Sequence, residues 1–301
     1  MPLNVILQNM LAAYSLLPQP DYQQMTADIA RMMMKARPIP ARMDRVFAIE
    51  NSKFQTADHA VPVRVYRPSD AAHLPVILYF HGGGWVVCDL DTHDSICRTL
   101  CKSHKAVVVS VDYRLAPEHK FPVPLEDCYA ATKYVSDHAA RLGVDATKLI
   151  VAGDSAGGNL ACATALLAKQ RGGPAIYHQF LIYPVTDYNF DTASYQQLAT
   201  GYMLTAQGMR WYWQQYAPDE TAARSPLASV LQADLSDLPP TTILTAGYDP
   251  LRDEGKALAD KLQAAGIAVR YHCFDDMLHG FVNLVGIVPA ADQALSMPDF
   301  S

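Results

Sequence analysis

Apolar residues change their spacing along this chain, and each spacing predicts a different element. Near the N-terminus Leu3, Ile6, Leu7, Met10 and Leu11 recur close to the helical period, which predicts an amphipathic helix. Asp21 is placed to cap a second helix carrying Met25, Ile29, Met32 and Met33. From Arg45 the pattern alternates instead. RVFAIE and VPVRVYR read apolar, polar, apolar, as half-exposed antiparallel strands do. Beyond them the apolar residues run together, in Pro75–Phe80, Ala106–Val111, Leu149–Ala152, Phe180–Tyr183 and Thr241–Ala246. Such runs suit strands covered on both faces. Helix-length stretches separate them: Thr92–Ser103, Pro124–Leu142, Gly158–Gln170 and Asp253–Ala265. Strand alternating with helix predicts a mostly parallel sheet with helices on both faces, an α/β fold. Residues 1–44 and about 187–222 break the alternation, and both are expected to be helical excursions from the sheet.

Composition narrows the class without pointing to chemistry. The chain has 301 residues, half of them hydrophobic and 18% charged, which suits a large soluble core and excludes a disordered chain. Lys and Arg number 24 against 30 Asp and Glu, a net charge of -6 that argues against a nucleic-acid binder. No apolar run approaches the ~20 residues of a membrane span, and Met1–Pro20 lacks the basic start of a secretory signal. The six cysteines, at 88, 97, 101, 128, 162 and 273, form no C-x-x-C pair. Reduced, packed thiols are expected, and with them a cytoplasmic address.

The chemistry enters with Gly153-Asp154-Ser155-Ala156-Gly157, which lies between an apolar strand run and a helix. A sharp strand–turn–helix bend of this kind lifts a serine hydroxyl out of the sheet at a helix N-terminus, and it demands small residues on either side. A second signal is His81-Gly82-Gly83-Gly84-Trp85, directly after the strand run PVILYF. Glycines at a strand's carboxyl end let backbone N–H groups converge on an anionic oxygen. The N–H groups of Gly83, Gly84 and Ala156 are therefore the candidate oxyanion hole. No dinucleotide or Walker pattern accompanies them.

A serine nucleophile needs a base, and the base an orienting acid, in the chain order serine, acid, histidine on this kind of sheet. Asp249 follows the run Thr241–Ala246, and His279 follows the expected strand Ile267–Phe274. His272 falls within that strand, His59, His73 and His178 fall outside the expected loop, and Asp253 starts a helix. Asp275 and Asp276 lie too close to the base in sequence. Asp89, Asp91, His93 and Asp94 are ligand-type residues, but a capped helix start explains them, so no metal is expected.

With these motifs in order, HGGGW, DYRLAPEHKFP (112–122), GDSAGG, DPLRDE and HGF, the chain resembles the bacterial hormone-sensitive-lipase-like carboxylesterases of the α/β-hydrolase fold over about residues 45–290. The resemblance implies Ser155, Asp249 and His279 as the triad and a cofactor-free hydrolysis of short- to medium-chain carboxylic esters. It also implies a helical cap, built from residues 1–44 and the insertion at about 187–222, on a catalytic domain spanning 45–301. The aromatics from Tyr188 to Tyr216, with Met32–Met34, are expected to line the substrate pocket in part and to pack within the cap in part. Glu118 and Asp154 are read as structural, holding loops around the nucleophile. The expected partner is a small-molecule ester, with neither nucleic acid nor membrane, and a homodimer stays open. An amidase or acyltransferase would share every one of these residues. A non-catalytic ligand-binding receptor on the same fold is the alternative from another class, and His279 speaks against it.

Overall fold

The computed structural model describes residues 1–36, 42–56, 59–297 and 300, so residues 37–41 of the expected N-terminal cap segment, and Ser301, lie outside the described residues. Two helices come first, α1 (Val5–Ser15) and α2 (Ala27–Lys35). Each starts on a side-chain cap: Asn4 accepts from the Ile6 N–H, and Thr26 from the Ile29 N–H. Asp21, expected to cap the second helix, instead closes a turn on the Gln23 N–H. There follow β1 (Ala48–Gln55), β2 (Ala60–Arg67), β3 (Leu74–Phe80), α3 (Asp94–His104), β4 (Val107–Val111), α4 (Val123–Asp137) and α5 (Ala139–Leu142). After them come β5 (Val144–Asp154), α6 (Ala156–Arg171), β6 (His178–Ile182), α7 (Ala193–Gln197), α8 (Ala206–Tyr216) and α9 (Glu220–Ala223). The chain ends on β7 (Thr241–Tyr248), α10 (Arg252–Ala264), β8 (Val269–Leu278) and α11 (Pro289–Ser296).

The strands form one eight-stranded sheet in the order β1-β2-β4-β3-β5-β6-β7-β8. The β1/β2 and β2/β4 pairs are antiparallel and every other pair is parallel. The continuous apolar runs now have a cause. Val76, Leu78 and Phe80 enter one core, shared with α4, α6 and α10, while Ile77 and Tyr79 enter the other, shared with α1, α3 and α11. With both faces covered there is no solvent side to demand polar residues. Helix α6 is buried from Ala156 to Ala168, which is why its apolar residues surround the axis instead of forming a stripe. Emptying such a position, for example Leu160→Ala, is expected to cost about 2–5 kcal/mol.

Three elements differ from the sequence reading. The helix expected over Pro124–Leu142 is broken at His138, between α4 and α5. Strand β8 runs past Phe274 to Leu278, because a register shift lets Leu278 pair with Tyr248. In α2 the buried face is Ala27 and Ala30, whereas Ile29, Met32 and Met33 are 40%, 65% and 37% exposed. Small side chains dock this helix closely, so of the Met32–Met34 pocket expectation only Met34 packs inward.

The helices that interrupt the alternation meet each other. Trp211 of α8 donates its indole N–H to the Met25 carbonyl at 3.2 Å, and the Tyr22 ring packs against it. Among the described residues no helix is long and apolar enough to cross a membrane.

Candidate active site

Strands β3, β5, β7 and β8 are parallel, so their carboxyl ends lie on one side of the sheet. Each candidate residue sits just past such an end: the glycine turn after β3, Ser155 after β5, Asp249 after β7 and His279 after β8. The serine occupies the step from β5 into α6 with φ 57° and ψ -120°, a backbone conformation that a non-glycine residue adopts only when its surroundings impose it. Here they do. The Ser155 N–H donates to the Ile182 carbonyl at 2.8 Å, and its carbonyl accepts from Asn159 and Val185. The bend also needs Gly157, because a Cβ there would overlap the Phe80 carbonyl oxygen.

His279 bridges the other two groups. Its Nε2 lies 2.9 Å from Ser155 Oγ, and its Nδ1 lies 2.7 Å from Asp249 Oδ2. Asp249 is fully buried and takes a second hydrogen bond, on Oδ1, from the Leu251 N–H at 2.9 Å. A carboxylate can only accept, so Nδ1 carries the imidazole proton and a neutral ring presents a bare Nε2 to the serine. The Tyr183 ring packs against the imidazole at 4.6 Å. Motif, strand ends and chain order brought these three residues into consideration, and the fold brings all three together.

Gly83 and Gly84 adopt φ 113° and 59° in the turn after His81, and Ala156 opens α6, where helix N–H groups lack intrahelical partners. Gly84 is held to glycine twice over: its φ is left-handed, and a Cβ would overlap the Tyr212 ring of α8. The turn is joined to the serine strand through Asp154, whose Oδ1 accepts from the Gly82 N–H at 2.8 Å and the Tyr79 hydroxyl at 2.7 Å. Burial alone would push the Asp154 carboxyl up, but the His93 ring, the Tyr79 hydroxyl and the Gly82 N–H hold it below the usual range. Burial, reinforced by the neighbouring His93, pushes His81 down to about 4, so its ring is neutral at ordinary pH.

The Asp89–Asp94 stretch is a turn and helix start, but it lacks the side-chain cap expected of it. Asp89 accepts from the Asp91 and Thr92 N–H groups, and the described residues contain no grouping able to hold a metal ion. His93 departs from that reading: it makes no capping bond, is turned inward, and lies 3.2 Å from Asp154. Glu118 is less passive than expected, since its carboxylate pairs with Arg31 of α2. Of the α8 aromatics, Trp211, Trp213 and Tyr216 are buried as packing, and Trp85 stacks on Tyr216 at 4.1 Å. Neither His93 nor Arg31 has a local signal, because each acts on a segment far away in the chain. Two surface hollows, of about 450 and 290 Å³, lie elsewhere and include none of Ser155, Asp249 and His279.

A serine on a strained strand-to-helix bend, facing a histidine backed by a buried acid on an eight-stranded sheet, defines a hydrolase of the α/β class. Residues 77–283 match the model of a family described as having the alpha/beta hydrolase fold, and the chain belongs to that family. It is 44% identical over 241 residues to the esterase LipI of Mycobacterium tuberculosis, covering 78% of this chain and 75% of that protein. To an ethyl acetate hydrolase of Pseudomonas putida it is 39% identical over 265 residues, 86% of this chain and 83% of the relative. The crystal structure of a thermostable Pseudomonas putida esterase superposes with a TM-score of 0.94 at 37% identity, covering 98% of this chain and 95% of that one. That of a Pyrobaculum calidifontis esterase gives 0.91 at 41%, covering 98% and 96%.

Proposed function

We propose that this carboxylic ester hydrolase works through an acyl-enzyme on Ser155, with His279 as general base, Asp249 as its orienting acid and the N–H groups of Gly83, Gly84 and Ala156 as the oxyanion hole. The observation that carries the reading is the unbroken chain from Asp249 Oδ2 to His279 at 2.7 Å and from His279 to Ser155 Oγ at 2.9 Å. His279 Nε2 takes the serine proton as Oγ attacks the ester carbonyl. The carbonyl oxygen becomes an anion facing backbone N–H groups. Nε2 then gives its proton to the departing alkoxide, and the alcohol leaves. Water repeats the cycle: His279 takes its proton, the hydroxide adds to the acyl group, and collapse returns the proton to Ser155 Oγ and frees the acid. Every proton is accounted for within the site, and no cofactor takes part in any step.

Residues 1–44 and the helices between β6 and β7 form the cap over this site in our reading, with residues 45–301 as the catalytic domain. Their contact through Trp211 and Met25 supports one continuous roof. In this reading the roof's aromatics enclose a small apolar space for the acyl chain. Each buried methylene adds about 0.8 kcal/mol, so turnover is expected to rise to about four to six acyl carbons and to fall beyond about ten to twelve, where the chain outgrows its pocket. Cys97, Cys101, Cys128 and Cys162 are buried thiols, which suits the reducing cytoplasm. The direct test is Ser155→Ala. In a folded variant kcat on a short-chain aryl ester is expected to drop by about 10⁴–10⁶, and retention of more than about a tenth of the wild-type rate would falsify the assignment.

A further inference from the structure

Arg31 lies on α2, far from Ser155 in sequence, yet its guanidinium reaches the segment that follows the oxyanion glycines. Its Nε donates to the Val86 carbonyl at 3.0 Å and its Nη2 to the Ala116 carbonyl at 3.0 Å. The remaining fork pairs with both oxygens of Glu118, at 2.6 and 2.7 Å. That bidentate pair, together with the backbone, pulls the Glu118 carboxyl down to about 2, so it stays charged at any ordinary pH. Exposed ion pairs contribute little by themselves. The pair's consequence here is that it fixes the direction of the guanidinium plane, and with it the aim of Nε.

The Val86 carbonyl belongs to the same planar peptide unit as the Val87 N–H. That N–H donates to the Gly83 carbonyl at 3.0 Å, and the Val86 N–H joins it at 3.1 Å. The Gly83 carbonyl, in turn, shares its peptide plane with the Gly84 N–H. In a trans unit the C=O and N–H point in opposite directions, so holding the Gly83 oxygen toward Val86 and Val87 aims the Gly84 N–H the other way. Two peptide planes thus connect Arg31 to Gly84, each clamped at one end by the previous hydrogen bond. A second brace runs parallel to the first: the Ala116 N–H donates to the Trp85 carbonyl at 2.9 Å, while Arg31 holds the Ala116 carbonyl. Glycines have no side chain to fix their peptide planes, so an outside clamp has a large lever on them.

We propose that Arg31 is a positioning residue of the oxyanion hole, acting from the N-terminal helix through two peptide planes on the Gly84 N–H. The inference rests on the reading of Gly84 as an oxyanion donor. A donor that is present but misaimed loses part of the hundredfold to thousandfold that an oxyanion donor supplies.

The experiment compares wild type, Arg31→Met, Arg31→Lys and Arg31→Gln on p-nitrophenyl butyrate. It also measures the affinity of an alkyl trifluoromethyl ketone, which adds Ser155 Oγ and places an oxyanion in the hole, against the unfluorinated ketone, which stays unreacted. Arg31→Met is expected to lower kcat by about tenfold to a hundredfold with KM within about twofold. The fluorinated ketone should weaken by the same factor as kcat/KM, with the plain ketone unchanged. Arg31→Lys and Arg31→Gln keep a donor for the Val86 carbonyl and should recover part of the loss. They also carry the test if Arg31→Met does not fold. Wild-type kcat and ketone affinity in a folded variant, with only a lower melting temperature, overturn the role of Arg31 and leave the esterase mechanism standing. Failure of the fluorinated ketone to form an adduct with Ser155 in wild type overturns the mechanism itself.

Discussion

The elbow at Ser155 is braced by the sheet, whereas the turn at Gly83 and Gly84 is braced by helices α2 and α8. Around Ser155 the braces come from the sheet and its immediate flanks: the Ile182 carbonyl from β6, the Val185 N–H just beyond it, the close approach of Gly157 to Phe80 at the end of β3, and the buried start of α6. Around the glycines the sheet contributes Asp154. The Tyr212 ring, the Trp85–Tyr216 stack and Arg31 all come from, or lead to, the helical excursions. The proposed nucleophile and the proposed oxyanion donors thus answer to different parts of the fold. Damage to the helices should therefore reach the transition state through the donors while leaving the serine intact.

The largest effect that sharpens this contrast belongs to the sheet side. Asp249→Asn keeps an acceptor for the Leu251 N–H but inverts the preferred imidazole tautomer, so kcat on a short-chain aryl ester is expected to fall by about 10³–10⁴ with little change in folding. Asp253, whose carboxylate accepts from the Ser194 N–H at 2.8 Å, is the control. A dead Asp253→Asn beside a nearly normal Asp249→Asn means that the acid has been misassigned.

Next in size is Gly84→Ala, which pushes a Cβ into the Tyr212 ring and strains a left-handed residue. A displaced donor is expected to remove about 10²–10³ from kcat, and Tyr212→Ala in the same chain should restore part of it by clearing the space. An effect confined to KM would show that the turn binds substrate without stabilising the intermediate. Smaller again is removal of residues 1–35. With the proposed cap removed, the chain-length profile should flatten, and because Arg31 goes with it, kcat should also fall by roughly tenfold even on the shortest ester. A wider profile with an undiminished kcat would break the link between the helices and the glycine turn.

The smallest expectation concerns stability and not rate. Burial pushes His178 down to about 4, and His81 likewise, so the unfolded chain binds more protons than the folded one between about pH 6.5 and 4. The stability these neutral rings allow is complete above the unfolded value and is lost as pH falls toward the folded one, by up to about 3 kcal/mol for each histidine. His178→Gln keeps a hydrogen-bonding partner for the Thr242 hydroxyl and should flatten that decline in urea melts taken at about pH 7 and 4.5. An unchanged pH slope would assign the decline to other groups.

The same division separates what the sequence made legible from what it hid. The sheet's strands declare themselves because burial on both faces leaves only apolar residues, and the Ser155 bend declares itself because close backbone approach permits only glycine. Asp249 and His279 are found by strand ends and chain order. What escaped is non-local. Met32 and Met33 look like a buried stripe, but the helix docks on Ala27 and Ala30 and leaves them 65% and 37% exposed. His93 looks like part of a helix start, and only the fold reveals Asp154 beside it. Arg31 is one charge among many on a helix until Val86 and Ala116 are brought next to it. Side chains that act across the chain leave no local pattern to read.

The most direct test of this account is to treat the native enzyme with an aryl alkylphosphonate ester and locate the adduct by mass spectrometry while following residual activity on p-nitrophenyl butyrate. One phosphonyl group per chain is expected, carried by Ser155, with activity lost in proportion to labelling and no label in Ser155→Ala. A stoichiometric adduct on any other residue, or full turnover by a fully labelled enzyme, would contradict it.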